Sequence, residues 1–224
     1  MSAPLSIPLP VADRWAVENS PARRVPSHGT DRFGLRHAID LVGVDEQHRS
    51  APAAPRRPLV GAEAPERFVA FGRPVLSPVA GTVVAVHDGE PDHQARRSPL
   101  GLLSYMLGQG GRLRQGLTAV AGNHVLLRET STGLVVTLVH LRRGSVRVAP
   151  GDRLRGGEQI GACGNSGNST QPHVHVQVTD TADLVTARGV PVLFRDYREW
   201  PASGRGPFDV EAGVPAEGSV VEAR

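Results

Sequence analysis

The chain has 224 residues, 39% of them hydrophobic, which is enough to build one sizeable core. A formal charge of +3 is mild, and all the basic residues are arginine without a supporting basic cluster, so no nucleic-acid partner is expected. The single cysteine, Cys163, excludes an intrachain disulfide and a cysteine-built zinc site. It reads as a small buried apolar residue.

Aromatic residues are 4% of the chain, and Gly (26) with Pro (19) make up about a fifth of it. That favours a loop-rich all-β protein over a helical bundle. No run approaches the ~18 apolar residues of a membrane helix. The first twenty residues lack a basic n-region and a signal-length apolar stretch. As written the chain reads as soluble and unexported; a start codon lying upstream would make it extracytoplasmic.

Residues 1–26 are Pro-rich and are expected to form an extended N-terminal arm. "HAIDLV" (37–42) is strand-like and follows the Gly-containing loop "SHGTDRFG". An excursion rich in Pro and Ala occupies about 45–66. Two strand signals separated by Ala80-Gly81 lie in 73–89. Residues 90–121 interrupt the β pattern; within them "SPLGLLSYMLGQGG" has the start and stop signals of one short helix, and the insert reads as a lid or as a decorative excursion. Strands are expected again at 123–129 and 134–141, with short β pieces over 144–167, a strand at 173–178 and a late one at 189–194. From 201 to 224 the chain is expected to be a flexible C-terminal tail, leaving 27–200 as the folded domain. Many short strands with regular turn signals point to a β sandwich or a barrel-like core.

The stretch "QPHVHVQV" (171–178) carries the chemistry. On a strand, His173, His175 and Gln177 share one face, and Val174, Val176 and Val178 the other. His140 ends an apolar strand and Asp40 interrupts another. Burying such groups unpaired is costly, so a shared use is expected. Imidazole and carboxylate are ligands that zinc accepts, and a catalytic zinc keeps three protein ligands and one open position. Singly, His140 and Asp40 also read as ordinary hydrogen-bonded strand-end groups.

In order, "AIDLV", "GRPVLSPVAGTVVAV", "GNHVLL", "LVHL" and "VAPGDRLRGGEQIGACGNSGNSTQPHVHVQV" resemble the lysostaphin-type zinc endopeptidases of bacterial peptidoglycan, over residues 27–179. The last segment is the most specific. The resemblance implies an antiparallel β sandwich of duplicated-hybrid-motif type with a groove over one sheet. It also implies zinc held by Asp40 and His175, with His173 and His140 acting on the water and the developing oxyanion. The implied substrate is peptidoglycan peptides.

The chain departs from that family at the first ligand. The family pattern His-x-x-x-Asp has Arg36 in place of its histidine, and arginine cannot ligate zinc. His37, an odd number of residues from Asp40, faces away from the groove in a regular strand unless a bulge intervenes. His28, on a Gly-flanked loop upstream, is the preferred third ligand, with His37 or no protein ligand from this segment as the alternatives. His48, His87, His93 and His124 read as surface or structural, with His124 nearest to an exception. The reading is a zinc endopeptidase hydrolysing peptidoglycan stem or cross-bridge peptides. Against it stand a degenerate domain of the same fold that binds peptidoglycan or a partner enzyme, and a cytoplasmic peptidase with another substrate. Nothing in the sequence sets the oligomeric state.

Overall fold

Alternation in the last motif becomes a two-faced strand. In a computed structural model, which describes residues 3–52, 62–96 and 120–224, Val174, Val176 and Val178 are buried in the main apolar cluster. His173, His175 and Gln177 line a cavity on the opposite face. Burial of the valines orients the strand, because a one-residue slip would exchange the faces.

Thirteen strands form among the described residues. They are β1 (Leu5–Pro8), β2 (Arg14–Glu18), β3 (Ile39–Gly43), β4 (Pro74–Leu76), β5 (Gly81–His87), β6 (Asn123–Glu129) and β7 (Val135–Leu141). There follow β8 (Arg153–Leu154), β9 (Gln159–Ala162), β10 (Val174–Thr179), β11 (Val192–Trp200), β12 (Phe208–Gly213) and β13 (Val220–Ala223). The helical pieces among these residues are short: two 3-10 segments, at Arg32–His37 and Pro65–Arg67, and helical backbone at 120–121.

The large sheet runs β1-β11-β13-β2-β3-β10-β7-β6-β5-β8, with β12 attached to β11. Its pairs are antiparallel apart from β1 with β11. A second sheet pairs β4 with β9. Val75 of β4 and Ile160 of β9 belong to the same buried cluster as Leu138 and Leu141 of β7, so one core joins the two sheets. The protein is all-β, as expected. Cys163 is buried in that core, and burial pushes its thiol pKa up.

Several boundaries differ from the sequence reading. The segment 201–224 contains β12 and β13 rather than a loose tail. β13 lies between β11 and β2, and Val220 and Val221 are buried. The tail reading failed because "FDVEAG" is exposed or half-exposed along its length and lacks the apolar alternation of a core strand. At the other end, β1 and β2 are extended but integral to the sheet, with Ile7, Trp15 and Val17 buried. The strand expected at 37–42 begins at Ile39, because Phe33 (φ 60°) and Gly34 (φ 77°) turn the chain through 3-10 geometry first. The late strand runs from Val192 to Trp200 rather than over 189–194. The helix signal at 98–111 lies outside the described residues.

The burial of Val221 in β13 gives a measurable consequence. Val221→Ala is expected to destabilise the fold by about 2 kcal/mol, as for other core methyl deletions. A loose tail would show no change in the denaturation midpoint.

Candidate metal centre

Three neighbouring strands bring the candidate residues together. β10 lies between β3 and β7, and its register sets His175 opposite Asp40 on one side and Val139 on the other. Facing residues on antiparallel strands hold their side chains close. His140 follows Val139 in β7 and adopts a left-handed φ of 64°. That uncommon backbone state for a non-glycine residue turns its ring toward the cavity, 4.7 Å from the His173 ring between centroids.

His28 arrives from a loop. Ser27 is buried; its N–H donates to the Arg36 carbonyl (3.1 Å) and its hydroxyl to the Ala38 carbonyl (2.7 Å). These bonds tie the loop to the start of β3 and place His28 beside Asp40. Ligand-type atoms of His28, Asp40 and His175 all lie within 4.8 Å of one another. His37 lies at the end of the 3-10 segment and does not line the cavity. The strand-parity reason for setting it aside does not apply, since no strand reaches it.

The hydrogen bonds assign a proton to each ring. Carbonyl oxygens only accept, so His140 Nδ1–H donates to Ser166 O (2.9 Å) and His173 Nδ1–H to Gln171 O (2.8 Å). The Ser27 hydroxyl already donates to Ala38, so His28 Nδ1–H donates to Ser27 Oγ (3.0 Å). His175 Nε2 meets Gln177 Oε1 at 3.1 Å. In each neutral ring the other nitrogen is then a bare lone pair.

Three of those bare nitrogens point at one carboxylate. Asp40 Oδ1 lies 2.8 Å from His175 Nδ1 and 3.7 Å from His173 Nε2, and Oδ2 lies 3.2 Å from His28 Nε2. Asn19 Nδ2 donates to Oδ2 at 2.7 Å. Lone pairs facing a carboxylate at these distances repel unless positive charge enters between them, as protons or as a cation. Two imidazoles and one carboxylate are a zinc-type donor set that leaves a coordination position open. Outer nitrogens bonded to fixed acceptors are the usual support of metal-bound histidines. The residues present therefore fit a zinc ion.

Burial alone would raise the Asp40 pKa. Positive charge at the His173 and His28 rings, with hydrogen bonds donated by His175 and His28, outweighs it and holds the carboxyl well below its ordinary range. Burial first, then the neighbouring His173 and His175 rings, push His140 well below the ordinary imidazole value. His140 is accordingly neutral at pH 7.

The centre opens into a cavity of about 280 Å³. Phe33, Leu35, Val139 and Leu184 give it apolar walls on one side of the cluster. Two glycines let the late loop run close to its neighbours. A side chain at Gly164 would overlap Arg142 backbone, and one at Gly167 (φ 68°) would overlap Gly122. The remaining histidines lie elsewhere: His124 stacks on His87 (5.7 Å), His48 packs on Trp200 (5.8 Å), and His93 Nε2 lies 2.8 Å from Gly167 O.

Sequence reasoning missed Asn19, Ser27 and Gln177 as parts of the site. Gln177 was detectable as the third polar residue on the histidine face. Asn19 and Ser27 carry no local signal, because their partners are far away in the chain.

Fold and site together define a β-sheet protein with a histidine–carboxylate centre of the kind that holds a metal ion. Residues 108–187 match the family model for Peptidase family M23. A peptidoglycan DD-endopeptidase of Vibrio cholerae, ShyC, is 32% identical over 102 residues, spanning 46% of this chain and 22% of that protein. An uncharacterized metalloprotease of Buchnera aphidicola is 30% identical over 80 residues, 36% of this chain and 20% of its own. The chain thus spans about a fifth of the length of these relatives. The catalytic domain of lysostaphin from Staphylococcus simulans is 18% identical with a TM-score of 0.40, covering 80% of this chain and 88% of that one. The similarity to Peptidase family M23 is thus carried by residues 108–187 of the 224.

Proposed function

We propose that this protein is a zinc-dependent endopeptidase that hydrolyses peptide bonds in peptidoglycan stem or cross-bridge peptides. The observation that carries the reading is the convergence of the His28, His173 and His175 ring nitrogens on the Asp40 carboxylate. His28, Asp40 and His175 would hold the ion. Zinc, when bound, lowers the pKa of a water to about 7 and polarises a substrate carbonyl.

The chain's own groups do the rest. His173 presents Nε2 beside Asp40 and is placed to accept a proton from the attacking water. His140, neutral because it is buried, presents its second bare nitrogen to the same cavity and can take up or pass on a proton there. The apolar walls limit water around the scissile amide, which strengthens each polar contact inside. The peptidoglycan substrate follows the named activity of the Vibrio cholerae relative.

The test combines metal content with hydrolysis. Purified protein is expected to carry about one zinc per chain and to release new amino groups from purified peptidoglycan. A chelator should stop the release, and added zinc should restore it. A folded protein that takes up no zinc would instead favour a binding module of the same fold. Zinc uptake without amine release from peptidoglycan would move the substrate elsewhere.

A further inference from the structure

His175 faces Asp40 through Nδ1, and its other nitrogen meets Gln177. An amide can be turned either way, so the direction of the His175–Gln177 bond depends on what holds the amide. Gln177 Nε2 lies 2.9 Å from the Phe33 carbonyl, which can only accept. The NH2 end must therefore point at Phe33, and Oε1 must point at His175 Nε2, 3.1 Å away. Nε2 therefore carries a proton, and in the neutral ring Nδ1, 2.8 Å from Asp40 Oδ1, is the nitrogen free to bind a cation.

The Phe33 carbonyl is itself held in place. Phe33 and Gly34 both have left-handed backbone, and Gly34 is buried against β10. A side chain at residue 34 would overlap Thr179 Cγ2 and come within 3.2 Å of Gln177 Nε2. The turn can approach β10 closely enough to bond Gln177 because residue 34 has no side chain. A line of contacts runs from this turn through one buried amide to the candidate ligand.

We infer that Gln177 is a positioning residue of the centre, orienting His175 through the Phe33 carbonyl so that Nδ1 faces the metal. The inference rests on the zinc reading proposed above. Gln177 does not touch the ion in this arrangement; it acts through His175. Losing such a supporting bond typically weakens metal affinity 10–100-fold.

The experiment uses the full chain and compares wild type with Q177L, Q177N and Q177E. Zinc affinity is measured by competition with a chelating dye, and the His175 tautomer in metal-free protein by ring-nitrogen NMR shifts. Wild type is expected to show protonated Nε2. In Q177L and in Q177N, whose amide is one methylene shorter, the tautomer preference is lost and zinc affinity falls about 10–100-fold. Q177E, whose carboxylate still accepts from Nε2–H but has no N–H for the Phe33 carbonyl, keeps the tautomer preference and recovers only part of that affinity. Should Q177L fail to fold, Q177N with its retained polarity carries the test. Wild-type zinc affinity and tautomer in a folded Q177L or Q177N would overturn the inference while leaving the zinc reading intact. A wild-type protein that binds no zinc would overturn the zinc reading, and this one with it.

Discussion

His28→Ala and Asp40→Ala are each expected to yield a folded protein with almost no bound zinc and no detectable peptidoglycan hydrolysis, whereas His37→Ala keeps both. His28 presents Nε2 at 3.2 Å from Asp40 Oδ2, and its loop is anchored by the two bonds from Ser27. His37 closes a 3-10 segment away from the cavity, and its pKa is lowered first by burial and then by the neighbouring Arg36 charge. Removing a direct ligand should weaken binding beyond the 10–100-fold typical of a supporting hydrogen bond. Metal stoichiometry after gel filtration checks this, with circular dichroism to confirm folding. Loss of zinc in His37→Ala but not in His28→Ala would reverse the assignment and imply that the 3-10 segment rearranges around the ion.

A second large effect separates binding from turnover. His173→Ala and His140→Ala are expected to retain zinc at about one per chain while lowering kcat about 10²–10⁴-fold, the usual contribution of a positioned acid or base. His173 Nε2 stands 3.7 Å from Asp40 Oδ1, farther than the corresponding nitrogens of His28 and His175. His140 is bonded to Ser166 through Nδ1 and does not approach Asp40 at hydrogen-bond distance. Zinc content measured beside kcat and KM decides the roles. If either variant loses its metal, that residue is a ligand rather than a proton carrier.

Both predictions depend on a charge arrangement that the fold imposes. Positive charge on the surrounding imidazoles, with the hydrogen bonds they donate, offsets the desolvation of the buried Asp40 and keeps it ionised. Each imidazole directs its proton outward to a carbonyl, a hydroxyl or an amide oxygen. The centre is thereby short of positive charge when its histidines are neutral, which is the electrostatic condition for holding a dication.

Much of this was legible along the chain, because side-chain alternation in a strand is a local property. The pattern of "HVHVQV" alone separates a histidine face from a valine face, and the structure keeps that separation. The apolar runs around Asp40 and His140 likewise announce buried strands in which a polar group needs a partner. Composition and turn signals were enough for an all-β class. What local pattern could not provide is which distant backbone meets which strand. β12 and β13 looked like a tail because their pairing partners, rather than their own alternation, make them strands. His28 reaches Asp40 through Ser27's bonds to the chain ahead of β3, Asn19 through the pairing of β2 with β3, and the Gln177 amide takes its direction from a carbonyl 144 positions away in sequence. These are long-range hydrogen bonds. Only closure of the tertiary structure sets their geometry, and with it the number of lone pairs that face a single carboxylate.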